Sequence, residues 1–261
     1  MSKQRLAPGG GGGGAWLGGQ ATASSEKFGV EGGAEATGTS IFDPVMCELA
    51  YRWFSAPGMQ VLDPFAGGSV RGVVASVLGR RYFGNELRPE QVAANEAQAD
   101  ICPDPKPVWH CGDSVNIREY FTGQADFLFS CPPYADLEVY SDDPRDISAM
   151  GYDDFLTAYR KIIAESVACL ADDSFACFVV GDVRDKRGNY RNFVGDTVEA
   201  FRAAGCEYYN EAILVTAVGS LPVRVGRQFA AGRKLGKTHQ NVLVFVKGDG
   251  KRATKRMGGE K

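Results

Sequence analysis

The chain has 261 residues, 44% hydrophobic and 23% charged, the balance of an ordinary globular protein with enough length for one large domain or two small ones. Its net charge of −3 hides a division: from Ala212 to Lys261 there are eleven Lys/Arg against two acids, +9, which leaves −12 for residues 1–211. Seven cysteines without a CxxC pair and two scattered histidines exclude a disulfide framework and point to no metal site.

Residues 1–40 are rich in Gly, Ala and Ser, with an unbroken run from Gly9 to Gly14, and predict a largely disordered arm in which Trp16 offers a large apolar surface for docking. Asp43 can cap a helix that has Pro44 in its first turn and runs to about Phe54. The strand "MQVLDP" (59–64) follows, then a helix over 69–79, the strand "RRYFGNE" and a helix from Pro89 to Ala99. "PVWHCGD" and "ADFLFS" read as strands, Tyr152 to Leu170 as a long amphipathic helix, and "SFACFVVGDV" as a strand. A helix from Asn192 to Ala204 and the strands "EYYNEAILVT" and "NVLVFVKG" complete the pattern. Strands alternating with helices predict an α/β, doubly wound parallel sheet, with the last two strands antiparallel because no helical pattern separates them. Their connection, "VGSLPVRVGRQFAAGRKLGKTH" (218–239), is expected to be a loop on account of its glycines, and 249–261 a mobile basic tail. No apolar run reaches the ~20 residues of a membrane span and no signal-peptide pattern is present, so no membrane partner and a cytoplasmic location are expected.

"VLDPFAGGSV" (61–70) is a strand, a glycine turn and a helix start, where small residues let a ligand approach the backbone and free N–H groups. It is neither GxGxxG nor a Walker loop. Glu86 ends the next strand about twenty residues on, where an acid can grip a ribose, and Asp113 ends the third strand in "CGDS". Three such features on one edge of one sheet predict a nucleoside pocket.

In "FLFSCPPYADLEVY" (127–140) an apolar strand stops at two prolines, which fix φ and lack an N–H. A cysteine and a tyrosine are thus held rigidly at a strand exit. Alone, this is a stiff strand end with Tyr134 packed as a lid.

"DPFAGGS", "YFGNELRPEQV", "CGDS" and "CPPY", in that order, resemble the motifs of the S-adenosylmethionine-dependent DNA amino-methyltransferases, which act on N6 of adenine or N4 of cytosine. "SIFDPVMCELAYRWF" is similar to the segment that closes over the methionine end of the cofactor, and "KTHQNVLVFVKG" to the family's last strand. The resemblance spans roughly residues 40–248, and phage and prophage enzymes without a partner nuclease come nearest. It implies a Rossmann-like seven-stranded methyltransferase domain over 41–248, in a bacterial or phage-infected cytoplasm. It implies that Phe42, Asp63, Pro64, Phe65, Ala66, Gly67 and Gly68 enclose S-adenosylmethionine, Glu86 and Leu87 its ribose, and Asp113 and Ser114 its adenine. It also implies that Pro132, fixed by Pro133, offers a carbonyl to the target amine, and that Tyr134 stacks on a base flipped out of duplex DNA.

The family has Asp, Asn or Ser where this chain has Cys131. Sulfur is a weak acceptor. Ser130 could replace the missing oxygen only if the strand had already twisted, since neighbours on a strand face opposite ways. Three readings follow: Cys131 as a tolerated near-isostere of serine, Cys131 as the nucleophile of pyrimidine C5 methylation, or a weakly catalytic module that binds cofactor and DNA. The first is the expectation carried forward. Acids dominate the next loop (Asp136, Glu138, Asp142, Asp143, Asp146, Asp153, Asp154) and read mainly as a solvated loop and helix-start charges. Arg224, Arg227, Arg233, Lys234 and Lys237 of the basic insertion are the expected contacts to DNA phosphates. Target base, recognition sequence and oligomeric state, a homodimer included, stay open.

Overall fold

Asp43 accepts hydrogen bonds from the N–H groups of Val45 (2.8 Å) and Met46 (3.4 Å), and with Pro44 in the first turn it starts helix α1, Pro44–Phe54. The structure is a computed structural model and describes residues 41–134, 139–216 and 221–258. The arm 1–40, Asp136 and Glu138 therefore lie outside the described residues. Strand β1 (Gln60–Asp63) leads to α2 (Val70–Val77), β2 (Arg81–Glu86) to α3 (Pro89–Glu96), and β3 (Val108–Cys111) to the short α4 (Ile117–Tyr120). Strand β4 (Ala125–Ser130) is followed by α5 (Tyr152–Cys169), and β5 (Leu170–Val180) by α6 (Phe193–Ala203). Then come β6 (Glu207–Val215), α7 (Leu221–Gly232), β7 (His239–Lys247) and α8 (Gly250–Arg256).

The strands form one seven-stranded sheet in the order β3-β2-β1-β4-β5-β7-β6. The first five pair in parallel, while β7 runs antiparallel between β5 and β6. Parallel strands covered on both faces read as unbroken apolar runs, and "FLF" divides accordingly. Phe127 and Phe129 pack with Tyr51 and Cys47 of α1 on one side, while Leu128 packs with Phe155, Tyr159, Phe178 and Phe201 on the other. Among the described residues no helix is long and apolar enough to cross a membrane.

Two expectations are corrected. Part of the insertion 218–239 is not a loop: Leu221–Gly232 is helical, with Pro222 in the first turn, and Gly226 does not break it. One exposed glycine costs a helix only about 1 kcal/mol, and the stop comes at Gly232, where Arg233 turns to φ +53°. Nor does the chain run out after β7. Asp249 caps α8 through the Arg252 N–H (2.9 Å), Ala253 is buried, and Arg252 and Arg256 reach Asp173 (2.7 Å) and Asp126 (2.6 Å) under the sheet.

Candidate active site at the carboxyl edge of the sheet

Strands β1 and β4 lie side by side although far apart in sequence, and ligands of doubly wound sheets sit outside such a switch point. At the end of β1, Asp63 is fully buried and its carboxylate is held inside the protein. Its Oδ2 accepts from Arg71 Nε (2.6 Å) and the Tyr82 hydroxyl (2.8 Å), and its Oδ1 accepts from the Ser130 hydroxyl (2.5 Å) and the Phe65 N–H (3.1 Å). Arg71 also donates to the carbonyls of Phe65 (2.5 Å) and Ala66 (2.9 Å), which shapes the turn. Burial works against the guanidinium charge, but the Asp63 carboxylate outweighs it and raises the pKa further. Burial, reinforced by Asp63, likewise keeps the Tyr82 phenol protonated.

The turn that results is open outward. Gly67 has φ +50°, and a Cβ on either Gly67 or Gly68 would find nothing within 4 Å. Below it the packing is tight, since a Cβ on Gly84 would come within 2.8 Å of the Ala66 Cβ. Glu86 stands beside this space, its Oε2 accepting from the Gly67 N–H (2.9 Å) and its Oε1 from the Arg88 N–H (3.1 Å). Asp113 accepts from the Val115 N–H (3.0 Å) and is half-buried. Ser114 is buried and points inward, donating to the Pro64 carbonyl (2.5 Å) and accepting from Asn85 Nδ2 (2.7 Å). Asn85 also meets His110 Nδ1 (3.0 Å) and the Gly112 carbonyl (2.8 Å), so the ends of β1, β2 and β3 are tied together. Leu87 contributes its carbonyl to Cys111 (S···O 3.6 Å). Phe42 reaches the same corner, beneath the Arg71 guanidinium (4.8 Å) and edge-on to Phe129 (5.9 Å). An open glycine turn flanked by two strand-end carboxylates fits a nucleoside with a charged tail.

Across the switch point, β4 presents the Pro-Pro motif. Ser130 is fully buried, its hydroxyl committed to Asp63 and its oxygen accepting the Phe65 N–H (3.2 Å). Cys131 faces the other layer with its Sγ 4.0 Å from the Tyr134 hydroxyl. Pro132 is buried and Pro133 half-buried. Tyr134 is folded inward, edge-on to Phe193 (6.3 Å) and hydrogen-bonded by Gln240 Nε2, which leaves it short of an open stacking platform. Burial first, and Cys131 second, raise its phenol well above the usual range, so it stays neutral. Arg71, Asn85 and Gln240 were not singled out from the sequence. Arg71 follows the strand-end Asp63 by one helical turn beyond the glycines, a signal open to reading, whereas nothing local marks Gln240.

Because β7 is antiparallel, its start lies at the same edge where β4 and β5 end, with Val180 opposite Asn241. The basic segment therefore arrives at the Pro-Pro motif. Arg227 and Arg233 are exposed, Lys234 and Lys237 are half-buried, and the Arg224 side chain lies outside the described residues. Lys237 Nζ is 3.5 Å, and Tyr134 Cε1 3.7 Å, from where a Gly181 Cβ would stand. Burial lowers the Lys237 pKa, against the pull of Asp182. In the acidic loop, Asp146 accepts from the Ser148 N–H (2.9 Å) and hydroxyl (2.6 Å), while Arg145 hydrogen bonds hold half-buried Asp143 at about 2. Among the described residues no cluster could hold a metal ion.

No family model matches the chain, and no curated protein matches it. Solved structures do. TrmN from Thermus thermophilus aligns over 79% of this chain with TM-score 0.53 and 15% identity, and the chain spans 49% of that structure. Magnesium protoporphyrin IX methyltransferase (ChlM) from Synechocystis PCC 6803 with bound SAM aligns over 78% of this chain and 79% of its own, with TM-score 0.52 and 11% identity. A methyltransferase from Pyrococcus furiosus aligns over 87% and 93%, with TM-score 0.52 and 15% identity. The chain thus has the seven-stranded, Rossmann-like methyltransferase fold.

Proposed function

We propose that the chain is an S-adenosylmethionine-dependent methyltransferase whose substrate is the exocyclic amine of a base in DNA. The observation that carries this reading is one pair of hydrogen bonds: Asp63 joins the open glycine turn to Ser130, directly before the Pro-Pro-Tyr motif. A nucleoside site over β1–β3 and a strand exit suited to a planar amine are thereby held as one rigid edge. The solved structures that share the fold include SAM-bound ChlM, which supports the choice of cofactor.

When bound, the cofactor supplies a methyl group on a positively charged sulfur. Glu86 would hold the ribose hydroxyls, giving up the Gly67 N–H that it now accepts, and Asp113 the adenine edge. Phe42 and the Phe65–Gly68 turn would cover the methionine end and exclude water. Pro132 would accept an N–H of the target amine at its carbonyl, drawing electron density toward the nitrogen. Tyr134 would stack on the flipped base once its ring leaves Gln240. Cys131 would occupy the acceptor position without a strong acceptor.

Nucleoside mass spectrometry of DNA from cells that express the protein tests this. N6-methyladenine or N4-methylcytosine is expected. 5-Methylcytosine would transfer the chemistry to Cys131 as nucleophile, and methyl groups found in RNA alone would end the DNA reading.

A further inference from the structure

The connection between β5 and α6 lies within the acidic part of the chain, before Ala212, yet it carries Arg184, Lys186, Arg187 and Arg191. It is a built hairpin. Arg184 and Tyr190 form an antiparallel bridge, Arg191 N–H donates to the Val183 carbonyl (2.9 Å), and Asp185 N–H to the Asn189 carbonyl (2.8 Å). Gly188 turns at φ +92°, and Val183 anchors the base in the core. The tip carries exposed Lys186 and Arg187. Its acids are occupied: Asp185 accepts from the Asn189 N–H (2.8 Å), and Asp182 from the Val194 N–H (3.4 Å) at the start of α6.

Around Tyr190, 47% exposed, cations gather from two separate segments. The Arg184 guanidinium lies 3.9 Å and Lys237 Nζ 5.9 Å from its ring centroid. Lys234 packs on Gly188, its Nζ 2.5 Å from where a Cβ would stand. Lys237 continues to Gly181, and Gly181 adjoins Tyr134. Asp182 offsets part of the charge on Lys237, but Arg184, Lys186, Arg187, Lys234 and Lys237 outnumber Asp182 and Asp185, so the cluster keeps a positive excess that a phosphate would balance. Cations interleaved with an exposed aromatic suit a strand that offers both phosphates and base faces.

We propose that the hairpin 182–191 is a second nucleic-acid arm, which with the segment 233–237 grips the DNA strand beside the target base while Tyr190 stacks on a neighbouring base. This rests on the reading of the protein as a DNA methyltransferase.

The test is fluorescence anisotropy of a labelled duplex with the full chain across about 50–200 mM NaCl, with calorimetry of S-adenosylhomocysteine beside it. The double variant Lys186→Ala/Arg187→Ala is expected to lower the salt slope by about 2, at about 0.9 per lost phosphate contact, and to weaken binding about tenfold at the lowest salt. Tyr190→Ala is expected to cost about fivefold or more without changing the slope, and Tyr190→Phe to restore binding. S-adenosylhomocysteine affinity should be the same throughout. If the wild type binds the duplex and the variants match it in affinity and slope, the arm is overturned and the methyltransferase reading stands. A wild type that binds S-adenosylhomocysteine but no DNA, or only structured RNA, overturns the DNA reading and this proposal with it.

Discussion

Asp63 is the residue on which both halves of the site depend, since it takes hydrogen bonds from Arg71, Tyr82, Ser130 and the Phe65 backbone. Breaking a buried ion pair leaves an uncompensated charge, so Asp63→Ala should lose about 3–5 kcal/mol in urea unfolding. Gly84→Ala should be milder but directed: the new methyl would push on Ala66, so cofactor affinity should fall with a stability loss of about 1–3 kcal/mol. At position 131, serine restores the oxygen that the resembling family uses, and methyl transfer by Cys131→Ser should persist or rise. A dead serine variant that also traps covalently on 5-fluorocytosine DNA would make the cysteine a nucleophile. Burial pushes the Cys47 thiol up to about 12, so native protein treated with iodoacetamide at neutral pH should leave Cys47 unmodified in peptide mass spectrometry.

At the scale of elements, α8 is the test case, because its sequence reads as a charged tail. Its anchors are one buried alanine and two arginines that reach acids from other elements. Partly exposed ion pairs contribute little each, so a chain ending at Gly248 should lose about 2 kcal/mol, or roughly 4–8 °C in Tm by circular dichroism. The sheet was legible because buried parallel strands are apolar runs punctuated by Gly, Pro and Asp. The glycine turn, Glu86, Asp113 and the Pro-Pro motif were legible as strand ends. Side-chain direction was not. A motif places Asp63 at the turn but does not tell that its carboxylate faces inward, and Ser130 is committed to Asp63 only because β1 and β4 are neighbours. Gln240 reaches Tyr134 across 106 residues through the antiparallel return of β7, which no local pattern carries. α7 is hard to read from the sequence because its glycines signal a loop more strongly than Pro222 and Gly232 signal the start and stop of a helix.

Taken whole, the molecule puts its excess of acid and its excess of base on different parts of the chain, and the part of the basic segment that precedes β7 reaches the site, while α8 carries the rest at the other end of that strand. Binding of S-adenosylhomocysteine at the proposed β1–β3 corner, away from the basic segment, should therefore change little with added salt. DNA affinity should fall steeply, log K against log salt having a slope of about −0.9 for each phosphate contacted. Parallel titrations of the two ligands check this, and equal salt dependence would deny the division.

The insertion after β6 has its own closure: Thr216 N–H donates to the Thr238 carbonyl (2.8 Å), so the chain leaves and re-enters the sheet through one clasp. Everything between those two threonines can change in length or wording while the strands keep their register. Doubling such a loop costs only about 0.6 kcal/mol in closure entropy. If the proposed function holds, this clasp makes the segment an exchangeable cassette, whose replacement would alter the target sequence while the strands and the cofactor corner stay as they are.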